Sequence, residues 1–179
     1  SNVYVFAGGK VEATDSLPNP ASELKNTLSE RISTSPQKST SFAMAAVRET
    51  YEETGLFLGA PGDIGETHNE SWNQLRALGL APNLAKLEYV GHAITPASKA
   101  FRFNARFFYA WESDMTGELG GSGELADLAF LDIEKALENI EVREIWGIGK
   151  KLSIFLKNYN IFTAKQFMLL DRQWIRKNM

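Results

Sequence analysis

The sequence predicts an α/β body followed by a small all-α appendage, and three observations carry that expectation. Strand-like stretches, "VYVFAGG", "KLEYVGHAITP" and "RFNARFFYAWE", are interleaved with stretches of helical spacing closed by glycine. The charge then changes sign along the chain. Ser1–Glu138 holds 11 basic and 19 acidic residues, a net −8, whereas Asn139–Met179 holds 8 basic and 3 acidic, a net +5. Lastly, the basic stretch sets apolar residues at helical spacing behind a "WGIGKK" turn. An acidic body with a basic tail implies two segments, 1–138 and 139–179, with different partners.

Taken in order, "VYVFAGG" reads as a strand running into a glycine turn. Residues 13–41 are rich in Ser, Thr, Asn and Pro, with only Leu24, Leu28 and Ile32 at helical spacing; a long surface excursion holding one short helix is expected. A helix over Ala43–Thr54 follows, with its N-cap among Ser39, Thr40 and Ser41 and its end at Gly55. "HNESWNQLRALGL" predicts a shorter helix closed by Gly79. The strand "RFNARFFYAWE" alternates Phe103, Ala105 and Phe107 against Arg102, Asn104 and Arg106. A glycine-rich acidic loop, "TGELGGSGE", leads to "DLAFLDIEKALENI", read as a strand and then a helix.

Composition narrows the chemistry. No run approaches the ~18 apolar residues of a membrane span, and "SNVYVFAGG" is not a signal peptide, so a cytoplasmic protein without a membrane partner is expected. With no cysteine there are no disulfides or thiolate metal sites. Two histidines, His68 and His92, are too few for a histidine-rich site, so a metal would be held by oxygen, which points to Mg²⁺ or Mn²⁺. His92 alone reads as a hydrogen-bonded strand residue.

The stretch "AVRETYEETGL" places Glu49, Glu52 and Glu53 on one helical face beside Arg48. Like charges at these spacings destabilise a helix by a few tenths of a kcal/mol each, so helix stability does not explain them. Two readings fit the residues alone: a solvated acidic face, and a face that shares a divalent cation.

"GGK" at Gly8–Lys10 followed by R-E-x-x-E-E-x-G-L at Arg48–Leu56 resembles the signature of Nudix hydrolases. The second block fixes Arg48, Glu49, Glu52, Glu53 and Gly55, a set that chance supplies about once in several thousand chains of this length. Counted from Gly9, the first glutamate position of that signature is Asp15, and the gap to Arg48 is about 25 residues longer than the pattern, a loop whose closure entropy grows only logarithmically. Thr50 stands where an aliphatic residue is usual. The chain thus resembles the long-insertion subgroup, which includes coenzyme A diphosphatases, with 13–41 as the insertion.

The resemblance implies an α/β/α sandwich and Mg²⁺- or Mn²⁺-dependent hydrolysis of a nucleoside-diphosphate-linked or coenzyme A-type pyrophosphate. It implies Glu52 and Glu53 as main metal ligands with Glu49 beside them, and Arg48 orienting a carboxylate. Gly8, Gly9 and Lys10 would form the backbone approach to substrate and cofactor. A general base would come from Glu124 or Glu118, with Glu124 preferred. Arg102 and Arg106, in a region that also looks like long-insertion members, would either face phosphates or be plain surface charges. The strands that normally precede "GGK" are absent from this sequence, and a homodimer would supply the missing strand. A non-catalytic Nudix fold is the alternative.

Val142–Met179 resembles instead the helix-hairpin-helix region of bacterial Y-family translesion polymerases, which implies weak, non-specific contact with the DNA backbone. Gly147–Gly149 would open a helix onto phosphate beside Lys150 and Lys151. Leu152, Phe155, Leu156, Ile161, Phe162, Phe167 and Leu170 would make its core. Two such halves in one chain suggest a chimera.

Overall fold

Leu24, Leu28 and Ile32 are all buried, which brings the first helix, α1 (Asn26–Ile32), into the core. The computed structural model describes residues 5–97, 100–120, 128–145 and 147–179. Segment 13–41 is therefore not a surface excursion: its three apolar residues at helical spacing form a stripe packed on the next helix. The strand expected at "VYVFAGG" lies partly in residues 1–4, outside the described residues, and residues 5–9 are not strand.

Helix α2 (Pro36–Thr54) starts earlier than expected. Ser35 is its N-cap, accepting from the Lys38 N–H at 3.4 Å, and Pro36 occupies the first turn, where a missing N–H is harmless. Ser39, one of the expected caps, lies fully buried inside the helix, its hydroxyl donating to the Ser29 carbonyl at 2.7 Å. Gly55 ends α2 in the left-handed conformation with φ of 74°, as its sequence position predicts.

Strand β1 (Gly59–Pro61), helix α3 (Glu70–Ala77) and strand β2 (Leu80–Pro82) follow, with Gly79 closing α3. β1 and β2 pair antiparallel, a short pairing that no periodicity announced. Strands β3 (Glu88–Ile94) and β4 (Asn104–Tyr109) form a second antiparallel pair with an irregularity between Tyr89 and Gly91. The inward phase of β4 is Arg106 and Phe108, not Phe103 and Phe107. Phe108 stacks 5.5 Å from Tyr89, the Arg106 guanidinium lies 3.8 Å over Phe42, and Phe103 and Phe107 are exposed. Among the described residues the strands make these two pairs. The core of this unit joins Met44 and Val47 of α2 to Phe57, Leu58, Ile64, Trp72, Leu75 and Leu84, each at most 2% exposed.

The chain is mixed α/β and divides into two units, Ser1–Leu128 and Ala129–Met179. The division falls before the charge boundary at 138/139, so helix α4 (Ile133–Asn139) belongs to the basic unit. Residues 128–132, expected to end a strand, are irregular, and Asp132 instead caps α4 through the Lys135 N–H at 3.0 Å. Helices α5 (Lys150–Asn158), α6 (Ala164–Met168) and α7 (Arg172–Asn178) complete the second unit. Val142, Ile148, Leu156 and Ile161 form its core, with Leu152, Phe155, Phe167, Leu170 and Trp174 packed against them. Phe162 is a correction: its carbonyl accepts from the Val142 N–H at 2.7 Å and its ring is exposed. Among the described residues no helix is long and apolar enough to cross a membrane.

Candidate functional site

Arg48 organises the acidic face of α2. Four positions along the helix carry charge within two turns, and the arginine is the one that is fully buried, at 2% exposure. Its Nε donates to Asp15 Oδ1 at 2.8 Å and its Nη2 to Asp15 Oδ2 at 3.1 Å, a fork-to-fork pair between residues 33 positions apart. Nη1 donates to Glu52 Oε2 at 2.8 Å, and Nη2 also reaches the Lys10 carbonyl at 2.9 Å and Glu49 Oε1 at 3.0 Å. Asp15, itself fully buried in a 3₁₀ turn (Ala13–Ser16), takes a further bond from the Glu12 N–H at 2.8 Å.

This knot fixes both ends of the long segment between the glycines and the helix. The Gly8 N–H donates to Glu53 Oε2 at 2.9 Å. A Cβ placed on Gly9 would fall 2.3 Å from Glu49 Oε1, so the chain at Gly9 passes against the Glu49 carboxylate as only a residue without a side chain can. Ser71, in the first turn of α3, donates to Glu52 Oε1 at 2.6 Å, and the Asn69 amide, which caps α3, reaches Glu12 at 3.4 Å.

Electrostatically the cluster is unbalanced: one guanidinium faces Asp15, Glu49 and Glu52, with Glu53 one turn from Glu49. Burial pushes the Glu49 carboxyl up, Arg48 pulls it down, the charges of Glu52 and Glu53 push it up again, and the net shift is upward. For Arg48, burial works against the charge, but its bonds to Asp15 and the charges of Asp15, Glu52 and Glu49 outweigh burial and raise its pKa.

The donor set suits a hard divalent cation, since every group is oxygen and the missing side chain of Gly9 lets the Glu49 carboxylate lie against the backbone there. One oxygen each of Glu49 and Glu53 makes no hydrogen bond among the described residues, whereas both oxygens of Glu52 are taken. As the side chains stand, no three acidic or histidine groups converge tightly enough to hold an ion among the described residues.

Of the residues singled out from sequence, Gly8, Gly9, Lys10, Asp15, Arg48, Glu49, Glu52 and Glu53 are brought together, Lys10 through its carbonyl. Glu124 lies outside the described residues, as does Trp146 of the "WGIGKK" turn. Glu118 has its backbone against Gly55 at the far end of α2, and its side chain is exposed. Arg102 bonds the Thr95 carbonyl, Arg106 the Asn104 carbonyl, and His92 the Tyr89 hydroxyl at 3.3 Å, so none of these joins the cluster. Ser71 was missed by sequence reasoning. A serine one residue into a helix looks like any other, and its partner is 19 positions away.

In comparisons with family models, curated proteins and solved structures, nothing matches the chain.

Proposed function

We propose that the Ser1–Leu128 unit is a Nudix-type pyrophosphohydrolase that uses Mg²⁺ or Mn²⁺, built as a variant of the α/β/α sandwich. The observation that carries the reading is the buried Arg48–Asp15 pair, which closes the insertion and lays Gly8–Gly9 on the glutamate face. A buried ion pair contributes little net stability, since desolvation offsets its attraction, so retaining one beside three more carboxylates argues for a task at this face.

Glu49 and Glu53 would hold the cation, and the Gly8–Gly9 backbone, which lies against both carboxylates, would form the approach for the diphosphate. Bound there, the ion would polarise the phosphoryl oxygens and supply hydroxide near neutral pH. Arg48 would hold Glu49 and Glu52 in place through its guanidinium. The test is release of a nucleotide phosphomonoester from ADP-ribose or coenzyme A in the presence of excess Mg²⁺, water cleaving the pyrophosphate bond into two phosphomonoesters. Turnover abolished by chelator and by Glu53→Gln is the expected result; no turnover on any pyrophosphate despite bound metal would leave a non-catalytic fold. That second reading is favoured by the strands among the described residues, which form two separate pairs and make less sheet than a sandwich needs.

For the Ala129–Met179 unit we propose a helix-hairpin-helix-type grip on nucleic-acid phosphate. Gly149 is the N-cap of α5 without any side-chain cap, so its first N–H groups are available, and Lys150 and Lys151 are exposed beside them. Binding of the full chain to a DNA duplex should weaken steeply with salt and be lost in Lys150→Glu/Lys151→Glu. Binding unaffected by that pair of changes would refute the assignment.

A further inference from the structure

We infer that the outward face of the β3–β4 pair is an interface between two copies of this chain, packed face to face. The inference is independent of the proposed metal site and of the basic unit. Every second residue from Phe103 to Trp111 is apolar, so Phe103, Ala105, Phe107, Tyr109 and Trp111 share one face of β4 and its extensions. The Phe103 carbonyl accepts from the Thr95 N–H at 2.9 Å, which holds that end in register, and the Tyr109 and Trp111 rings meet edge to face at 6.1 Å. Phe108 and Ala110, in the opposite phase, pack on the core. An antiparallel pair with one face on a core ordinarily turns polar residues to water on the other, and this one turns aromatic rings.

The face fits a copy of itself in shape and in charge. Its aromatic ridge runs along β4, and β3 supplies a trough beside it, where Gly91 pairs with Phe107 and Ala93 with Ala105. A Cβ built on Gly91 would meet nothing within 4 Å, so the space above the trough is open. A two-fold axis through the face sets the ridge of each copy in the trough of the other, the self-complementary arrangement of an isologous dimer. Two sheets packed in this way interdigitate at a spacing of about 10 Å. The charged residue in the outward phase is Glu88, opposite Tyr109, and Lys25 pairs with it, so two copies meet without like charges facing each other.

The area is that of a dimer. Phe103 is 67% exposed, Trp111 66%, Tyr109 48% and Phe107 40%. At roughly 200 Å² for each aromatic side chain, the four leave about 450 Å² uncovered, and the half-buried Gly91, Ala93 and Ala105 extend the patch. That is at the upper end of what an ordinary monomer exposes in one place. Two copies would bury about 1,000 Å², enough for a specific contact that dilution breaks and short of the roughly 1,600 Å² of a tight complex.

Sedimentation equilibrium of the full chain, from about 1 µM to about 200 µM, is the test. A single monomer–dimer equilibrium is expected, with a Tm that rises with protein concentration. Phe103→Glu/Trp111→Glu should weaken the dimer about tenfold or more, because both side chains are mostly exposed in one copy and neither belongs to its core. Leu78→Glu, at an exposed apolar residue that ends α3, should leave the dimer unchanged. Gly91→Leu separates a fitted interface from general stickiness. It adds apolar surface, and Gly91 has neither a positive φ nor a neighbour for the new Cβ to strike, so circular dichroism should show the monomer folded while the dimer is lost. Stronger association in Gly91→Leu overturns the inference. So does a chain that stays monomeric over the whole range, a dimer untouched by Phe103→Glu/Trp111→Glu, or growth beyond two copies, which pairing at a free strand edge would give. Binding of a monomeric chain to phosphatidylcholine vesicles, lost in the same double variant, would overturn it in favour of a membrane surface.

Discussion

Arg48 and Lys165 are built to the same plan and behave oppositely. Each is a cation clasped by more than one carboxylate: Arg48 by Asp15, Glu49 and Glu52 in the first unit, Lys165 by Glu138 at 2.7 Å and Glu134 at 3.1 Å in the second. Arg48 and Asp15 are out of water, while the Lys165 cluster is open to it, with Glu134 and Glu138 more than half exposed. Hydrogen bonds to Glu138 and Glu134 raise the Lys165 pKa, yet water and salt screen what that is worth to the fold. The lesson is that a charge cluster determines structure where it is desolvated. Arg48 fixes chain segments far apart in sequence, whereas Lys165 rests α6 on α4, which the rest of the unit already positions.

Arg48→Ala is the change that breaks the comparison most severely. It leaves the Asp15 carboxylate buried without a counter-charge and should destabilise the first unit by about 3–5 kcal/mol, read from chemical denaturation. A loss under about 1 kcal/mol would place Arg48 with Lys165 as a surface-like contact. Leu156→Ala, which opens the core of the second unit, should remove about 2–5 kcal/mol. Differential scanning calorimetry should show that loss in one transition while the Arg48-dependent transition holds. Simultaneous loss of both would mean that the two units fold as one.

Gly55→Ala is a smaller perturbation at the end of α2. The residue has φ of 74°, and an added Cβ would sit 2.5 Å from the Glu118 carbonyl oxygen. About 1–3 kcal/mol is expected, with the Arg48 knot unchanged. Lys165→Ala should give no resolvable change in Tm at physiological salt, and any effect should grow only as ionic strength falls. A clear drop at high salt would contradict the screening argument.

Much of the fold was legible wherever one element carries its own signal. The glycine that ends α2, the glycine that closes α3, the strands β3 and β4 and most of the second core follow from local spacing and caps. What escaped was set by distant partners. Ser39 looks like a cap, but Ser35 and Pro36 start the helix one turn earlier and Ser39 finds a buried carbonyl on α1. The inward face of β4 is set by what packs on it, Phe42 of α2 against Arg106 and Tyr89 of β3 against Phe108, and neither partner is near in sequence. At the site, the residue types were readable, because Arg48, Glu49, Glu52 and Glu53 fall together on a helix; that Asp15 is the buried partner of Arg48 was not, because the two lie 33 positions apart. Which oxygen of which glutamate is engaged was not, because Ser71 and Gly8 reach the face through the tertiary fold.

The central claim is that the glutamates of α2 share their face because a divalent cation binds there. Calorimetric titration of Mn²⁺ into the full chain and into Glu53→Gln tests it most directly. The account predicts one saturable site in the unaltered chain and affinity reduced about tenfold or more in the variant. Equal binding in both, or none in either, would contradict it and leave the acidic face of α2 a solvated surface around a structural arginine.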